Sequence, residues 1–94
     1  MLTVSQVYGT GDYIKINSTV SALTINDPVI FNNMVISGST VSNFGGIIAG
    51  QVYYIATIDY ATDRITISNT INGGAVNLSD VAAGDTTYLS LIHI

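Results

Sequence analysis

The stretch FGGIIAGQVYYIATI, residues 44–58, decides the fold of this chain. Three glycines in it can adopt backbone conformations that are closed to residues with a Cβ atom, so a sharp turn is predicted while Ile47 and Ile48 point inward. The predicted structural hinge consists of Gly45, Gly46 and Gly50. From Val52 the residues alternate with a period of two, which is typical of a β-strand. We therefore expect a glycine hinge that leads directly into a strand with one fully buried face and one mixed face. Val52, Tyr54, Ala56 and Ile58 lie on one face, and Tyr53, Ile55 and Thr57 lie on the other.

Upstream of the hinge, the sequence predicts a hairpin and a further strand. Residues 2–19 alternate loosely around the turn sequence GTGD, and Ile14 and Ile16 are expected to face the core. Pro28 cannot donate a ladder hydrogen bond, so it suits the first position of the strand that follows. Residues 32–43 are rich in Asn, Ser and Gly and predict a bulged or elaborated hairpin.

Downstream of the hinge, the segment RITISN at residues 64–69 is predicted to pair back on the strand that ends at Ile58. Its isoleucines form the apolar face, and Arg64, Thr66 and Ser68 are expected to face solvent. The cluster NGG at residues 72–74 predicts a second, shorter hairpin, because Asn and Gly tolerate positive φ.

The fold class predicted from these patterns is all-β. Ile, Val and Thr together make up more than a third of the residues, and their stiff side chains favour pleated sheet over helix. No pattern with the helical period extends far enough to make a helix. A chain of 94 residues has room for one domain. We expect a single small barrel or sandwich of about six to eight short, mostly antiparallel strands.

Composition excludes several classes of function. Charged residues make up 9% of the chain, against roughly 25% in ordinary soluble domains, so much of the polar surface must come from Ser, Thr and Asn. Such a surface favours contact with other proteins. The net charge is −4 and no basic patch is present, so no nucleic-acid partner is expected. The chain has no cysteine and no apolar run near the roughly 20 residues of a membrane helix, so neither cysteine-ligated metal nor a membrane partner is expected.

The tail LSLIHI, residues 89–94, resembles the in-frame translation of a transposon-end adapter used in shotgun DNA library preparation. We interpret it as non-native sequence, which leaves residues 1–88 as a single β module that is one repeat of a longer protein. The alternative is an ordinary closing strand, which the alternation of the tail permits. His93, the only histidine, lies in this tail and is therefore excluded as a general base or metal ligand.

The sequence offers few groups for catalysis or metal binding. Asp59 and Asp63 flank a predicted turn and could share a calcium ion, but calcium needs about six to eight oxygen ligands and no EF-hand loop is present. The alternative is that these carboxylates hydrogen-bond to their own backbone. The glycine hinge leads into a strand and not into a helix N-terminus, so it does not predict a phosphate site. No Ser-His-Asp set, paired Glu or nucleophilic Cys can be assembled, so we expect no enzyme and no cofactor.

Six tyrosines in a chain without tryptophan are the candidate contact residues. Aromatic faces with polar rims suit carbohydrate or protein partners. The tyrosines expected to be exposed are Tyr8, Tyr13, Tyr53 and Tyr60. We take Tyr13, Tyr53 and Tyr60 as the candidate interaction surface. The alternative is that they are half-buried sheet residues.

The motifs, in their order along the chain, resemble a β-rich repeat found, often in tandem, in large structural proteins of tailed bacteriophages. The D-P-V-x-F motif of that family matches residues 27–31. Its F-G-G-x-x-A-G-x-x-Y-Y-V motif matches residues 44–55, with isoleucine in place of the last valine. Its I-T-I-S strand and its Gly-Gly turn match residues 65–68 and 73–74. The chain departs from the family pattern in the insertion at residues 33–43.

This resemblance implies a non-catalytic structural or assembly module of a phage tail, baseplate, fibre or other virion appendage protein. The implied partners are neighbouring repeats or other virion proteins, with homo-oligomers in the full-length protein. Association would bury an apolar rim and satisfy strand edges. The repeats are distantly similar to the small β-barrel half-domain of ubiquitin-activating enzymes, but without cysteine that likeness implies no activity. The alternative is a carbohydrate- or receptor-binding module of a phage fibre or of a protein on the bacterial cell surface.

Overall fold

The structure, a computed structural model, describes residues 2–16, 23–82 and 88–93. Every regular element within these ranges is a β-strand, which confirms the predicted all-β fold. The strands are β1 (Leu2–Tyr8), β2 (Tyr13–Ile16), β3 (Pro28–Ile36), β4 (Ser39–Thr40), β5 (Asn43–Phe44), β6 (Ile47–Ile48), β7 (Val52–Asp59), β8 (Arg64–Ser68), β9 (Val81–Ala82) and β10 (Tyr88–His93). Six of them have four or more residues, and the others are two-residue ladders.

The six longer strands form a closed ring. Antiparallel pairing follows the order β10-β1-β2-β8-β7-β3, and β3 then pairs with β10. Each of these strands has a neighbour on both sides, so the sheet closes on itself as a small barrel. The pairing between these strands is partial, since β3 and β7 pair only at Pro28–Ile30 and Val52–Tyr54, so the expectation that neighbouring modules satisfy strand edges stays a prediction.

The interior of the barrel is filled by the inward-facing side chains of its strands. Ile14 and Ile16 are fully buried on β2, as predicted. The rings of Phe31 and Tyr53 meet edge to face with their centroids 6.0 Å apart, which is a favourable geometry for an aromatic pair. The buried apolar residues are Val4, Val7, Ile14, Ile16, Leu23, Val29, Phe31, Met34, Phe44, Ile47, Tyr53, Ile55, Ile65, Ile67, Leu78 and Leu91.

Strand β7 places its central tyrosine in the core. Tyr53 is 1% exposed, so its predicted exposure is wrong. The period of two puts Tyr53 on the same inner face as Ile55, and its hydroxyl oxygen accepts a hydrogen bond from the Ile48 N–H at 2.9 Å. A register shift after Ile55 then changes the alternation, so that Ile58 packs against the core while Thr57 is exposed.

Strand β8 is buried on both of its faces. Its two isoleucines are fully buried, as predicted. Thr66 and Ser68 are 6% and 1% exposed, so the expectation that they face solvent is wrong. The hydroxyls of Thr66 and Thr57 are hydrogen-bonded at 2.7 Å, and Ser68 Oγ accepts the Thr70 N–H at 3.2 Å. These polar groups can be buried because each has found a partner.

The hinge turns where the sequence predicts it. Gly45, Gly46 and Gly50 have φ of 62°, 101° and 78°, a region that favours glycine. Gly45 and Gly46 form the turn of the β5–β6 hairpin. Ile47 is buried, as predicted, but Ile48 is 46% exposed, so its predicted inward orientation is wrong. Successive residues of a strand point to opposite faces, so the two isoleucines cannot both face the core.

Of the remaining predicted elements, some are confirmed and one is wrong. Pro28 is the first residue of β3, as predicted, and the Asn-rich segment contains the β3–β4 hairpin with a bulge near Asn33, where φ is 52°. Residues 70–78 contain no strand, so the second hairpin predicted there is wrong. The Val76 N–H donates instead to the carbonyl of Ile67 at 2.8 Å, which draws the loop back over β8. Residues 17–19 of the first predicted hairpin lie outside the described ranges.

Strand β10 contains most of the tail LSLIHI. It pairs with β1 on one side and β3 on the other, and Leu91 is fully buried. Apolar residues pair wherever a strand edge is open, so either origin of the tail is compatible with this placement. The interpretation of residues 89–94 as adapter sequence therefore stays a prediction.

Candidate interaction surfaces

The outer face of β1, β2 and β8 brings Tyr13 together with Tyr8 and with Arg64, which is distant from both in sequence. Tyr8 is the register partner of Tyr13 across the first hairpin. The guanidinium carbon of Arg64 lies 4.7 Å from the ring centroid of Tyr8 and 5.9 Å from that of Tyr13, within the range of cation–π interaction. All three side chains are half-buried, and Arg64 Nε is buried with no hydrogen-bond partner among the described residues. They form the Tyr8–Tyr13–Arg64 cluster.

The three predicted contact tyrosines do not share a surface. Tyr13 belongs to the cluster on the outer face, Tyr53 lies in the core, and Tyr60 is in the turn between β7 and β8. Tyr60 is 61% exposed, which confirms its predicted exposure. The candidate surface therefore reduces to Tyr13 and Tyr60, held on different elements. Arg64 was not predicted as a partner of Tyr13, because the strand order that brings β2 beside β8 has no local signal.

The turn between β7 and β8 is organised by the carboxylate of Asp59. Its Oδ1 accepts hydrogen bonds from the N–H groups of Ala61 at 3.0 Å and Thr62 at 3.3 Å. This confirms for Asp59 the alternative in which a turn aspartate binds its own backbone. A hydrogen bond from the Thr62 hydroxyl is the largest cause that holds the pKa of Asp59 below its ordinary value of 3.8, and the charge of Arg64 acts in the same direction.

Replacing Thr62 with valine is expected to raise the pKa of Asp59 towards its ordinary value, because the hydroxyl that stabilises the carboxylate is removed. A carboxyl whose pKa is lowered in the folded state stabilises the fold above its unfolded pKa, and this stabilisation is lost as the pH falls through the folded pKa. Carboxyl chemical shifts followed through an NMR titration measure the change. The matched control is Thr10→Val in the exposed first turn, and an unchanged Asp59 pKa in Thr62→Val would contradict the assignment.

Other carboxylates are also used to hold loops together. Asp12 Oδ1 accepts the Leu78 N–H at 2.8 Å, and Asp80 Oδ1 accepts the Gly9 N–H at 2.6 Å. These two bonds tie the turn of the first hairpin to the segment at residues 77–80. The carboxylate of Asp27 accepts a backbone N–H within its own loop at 2.9 Å. With Asp59, four aspartates therefore act as acceptors for the backbone.

Within the described ranges, no three His, Cys, Asp or Glu side chains are grouped so that they could hold a metal ion.

The glycine hinge is covered by the chain itself. The Gly45 carbonyl accepts the Ser79 N–H at 2.8 Å. A Cβ atom at Gly45 would lie 2.7 Å from the Ser79 carbonyl oxygen, and one at Gly46 would lie 2.8 Å from that of Asn77. The backbone of residues 77–79 thus occupies the space above the turn. This is the contact of a packed hairpin, and the turn has no open concave side for a phosphate.

An uncharged surface lies on the outside of β3 and β7. Ile30 pairs in register with Val52, and Pro28 pairs with Tyr54. These four residues alternate with buried core residues, so they lie on the outer face. Val52 is 40% exposed, and the other three are half-buried. An apolar outer face is unusual for a barrel strand pair that meets water.

Side-chain amides hold the loop at residues 69–72 beside this surface. Gln51 Nε2 donates to Asn69 Oδ1 at 2.9 Å. Asn26 Nδ2 donates to Asn72 Oδ1 at 3.0 Å, and the Asn72 N–H donates to Asn26 Oδ1 at 3.1 Å. The loop is therefore fixed at both of its ends, once to the start of β7 and once to the loop before β3.

This fixed loop and the loop before β3 each add one large apolar side chain beside the surface. Ile71 is 56% exposed and Ile25 is 53% exposed, and each directly precedes one of the paired asparagines. We call the combined surface the β3–β7 face, which consists of Ile25, Pro28, Ile30, Val52, Tyr54 and Ile71. The alternation from Val52 indicates part of this face in the sequence, but the Asn26–Asn72 pairing has no local sequence signal.

In the part of the chain that the structure describes, no helix is long and apolar enough to cross a bilayer. No family model, curated protein or solved structure matches this chain.

Proposed function

We propose that this chain is a non-catalytic structural or assembly module of a phage tail or other virion appendage protein. The observation that carries the proposal is the use of the carboxylates: Asp12, Asp27, Asp59 and Asp80 all accept hydrogen bonds from backbone N–H groups. Groups that could perform acid–base chemistry therefore act as acceptors that hold turns and loops in place. The weak charge of the chain, with 9% charged residues, supports a module that contacts other proteins.

The assignment to a virion rests on the order of motifs, from the D-P-V-x-F strand through the F-G-G hinge to the I-T-I-S strand. The partners proposed on this basis are neighbouring repeats or other virion proteins, in an oligomer of the full-length protein. Each of the six longer strands already pairs with a neighbour on both sides, which favours contacts through the faces of the barrel and its loops.

The uninterrupted gene around this module tests the proposal. We expect further copies of the F-G-G hinge, each with a D-P-V-x-F motif upstream and an I-T-I-S strand downstream. Tandem copies of this kind are the arrangement of a structural repeat protein. A single copy fused to a hydrolase or lyase domain would overturn the proposal.

The second candidate function is a carbohydrate- or receptor-binding module, on a phage fibre or at the bacterial cell surface. The Tyr8–Tyr13–Arg64 cluster favours it, because half-exposed aromatic rings beside a guanidinium suit polar ligands with apolar faces. A glycan array probed with the wild-type chain and with Tyr13→Ala tests this candidate, and Tyr60→Ala serves as a control outside the cluster. The absence of wild-type binding to the array would remove it.

A further inference from the structure

The loop after β8 contains an exposed asparagine, Asn72, followed directly by Gly73. Asn72 is the only asparagine in the sequence that precedes a glycine. Asparagine is a thermolabile residue, and a following glycine has no Cβ atom to keep its backbone nitrogen away from the asparagine side chain. We propose that Asn72 is a site of spontaneous deamidation, and that its hydrogen bonds to Asn26 hold this reaction back in the folded protein.

The reaction needs water as its only co-reactant and does not depend on the proposed function. The backbone nitrogen of Gly73 forms a bond to Cγ of Asn72 while the Cγ–Nδ2 bond breaks, and the proton of the Gly73 N–H leaves with the departing ammonia. Water then opens the cyclic imide at one of its two carbonyl carbons, which leaves aspartate or isoaspartate at position 72. Either product places a negative charge next to Ile71, which is 56% exposed.

The folded loop holds the attacking nitrogen in another contact. The Gly73 N–H donates to the carbonyl of Thr70 at 3.1 Å. A Cβ atom at Gly73 would collide with the hydroxyl oxygens of Thr70 and Ser68, so the backbone of this glycine is closely packed. The nitrogen must leave this position before it can attack, and the reaction therefore proceeds from a locally opened loop.

The carboxamide of Asn26 contacts Asn72 at two points. Its Nδ2 donates to Asn72 Oδ1 at 3.0 Å, and its Oδ1 accepts the Asn72 N–H at 3.1 Å. Because one planar group is bonded to both the backbone and the side chain of Asn72, it restrains the rotation of that side chain. Asn26 is itself fastened to β7, since its N–H donates to the Ile55 carbonyl at 2.7 Å. Both contacts restrain the movement that brings Cγ of Asn72 to the Gly73 nitrogen.

Incubation of the full chain at neutral pH, with mass spectrometry of the peptide that contains position 72, tests the inference. Asn26 has a φ of 71°, which glycine tolerates, so Asn26→Gly removes the carboxamide and keeps the backbone of its loop. Each lost hydrogen bond shifts the opening of the loop by about fivefold, so this variant should deamidate about five to thirty times faster. Gln51→Ala is the matched control, because it removes the amide that fastens the other end of the same loop, and it should change the rate much less.

The chain unfolded in guanidinium chloride gives the rate without protection, which should exceed that of the folded wild type. Equal rates in the folded and unfolded chains would overturn the inference. An unchanged rate in Asn26→Gly would also overturn it, and so would a slower one, because the Asn26 donor would then activate the Asn72 carbonyl. Equal acceleration in Gln51→Ala would show that any loosening of the loop suffices, which contradicts a specific role of Asn26.

Circular dichroism verifies that Asn26→Gly folds. If it does not, Asn26→Asp takes its place, because the carboxylate keeps an acceptor for the Asn72 N–H and loses the donor to Asn72 Oδ1. This variant loses one bond and should deamidate at Asn72 about five times faster than the wild type. A rate equal to that of the wild type would again refute the protection by Asn26.

Discussion

Replacing Gly45 with alanine is expected to destabilise the barrel by about 2–5 kcal/mol, whereas Gly50→Ala should cost about 1–2 kcal/mol. Both positions have positive φ, 62° and 78°, so each alanine carries the strain of a left-handed backbone. At Gly45 the new Cβ would also lie 2.7 Å from the Ser79 carbonyl oxygen and 2.9 Å from Val81 Cγ2. At Gly50 nothing lies within 4 Å.

The larger loss of stability at Gly45 arises because the clash can be relieved only by moving residues that are hydrogen-bonded and packed. A shift of the hairpin weakens the hydrogen bond from the Ser79 N–H to the Gly45 carbonyl and disturbs the packing of Val81 over the core. Urea unfolding of both variants gives the two free energies of unfolding. If Gly45→Ala and Gly50→Ala lower the free energy of unfolding equally, the loss comes from backbone strain alone and the close packing of residues 77–81 contributes nothing to it.

Local chemistry was enough to predict the hinge and several strands. The hinge glycines adopt positive φ, which residues with a Cβ atom disfavour, and Pro28 starts β3 because it has no N–H to donate to a neighbouring strand. Both features are therefore determined by single residues. The inward orientation of Ile14 and Ile16 follows from alternation and from hydrophobicity. In each case the physical cause lies within a few residues of its effect.

Tyr53 and the loop after β8 show where this reasoning stops. Alternation predicts the two faces of β7 correctly, but the face expected to be fully buried is the wrong one: Val52 is 40% exposed, whereas Tyr53 and Ile55 are buried. Both faces carry apolar groups, so alternation alone does not decide which of them is inside. The Ile48 N–H donates a hydrogen bond to the Tyr53 hydroxyl, so the polar group of this side chain has a partner inside the fold. Asn72 of the NGG cluster does adopt positive φ. It is hydrogen-bonded to Asn26, 46 residues away in sequence, and no hairpin forms.

The candidate surfaces depend on the same kind of non-local contact. The Tyr8–Tyr13–Arg64 cluster requires β2 to lie between β1 and β8, and the β3–β7 face requires the loop at residues 69–72 to be fastened beside β7. Neither arrangement can be predicted from a single segment of the sequence. Individual residues could therefore be proposed from the sequence, while their grouping into surfaces could not.

Shortening the chain to residues 1–88 is expected to abolish cooperative folding. Strand β10 is the one that joins β1 to β3, so its loss opens the ring and leaves two long strands with unpaired edges. It also removes Leu91, which is fully buried in the core. The total stability of a domain of this size is about 5–14 kcal/mol, and the loss of a paired and buried strand is of comparable magnitude. We expect the shortened chain to aggregate or to lack a sigmoidal urea transition.

A graded substitution separates the loss of the side chain from the loss of the strand. Leu91→Ala keeps the backbone of β10 and should reduce the free energy of unfolding by about 2–5 kcal/mol, while Leu91→Ile should cost less than about 1.5 kcal/mol. These losses of stability are expected whether or not the tail is native. The barrel needs a buried apolar side chain at position 91 and a strand that pairs with both β1 and β3, whatever the origin of that strand. Urea midpoints that are the same for the full chain, Leu91→Ala and residues 1–88 would show that β10 is not part of the barrel in solution.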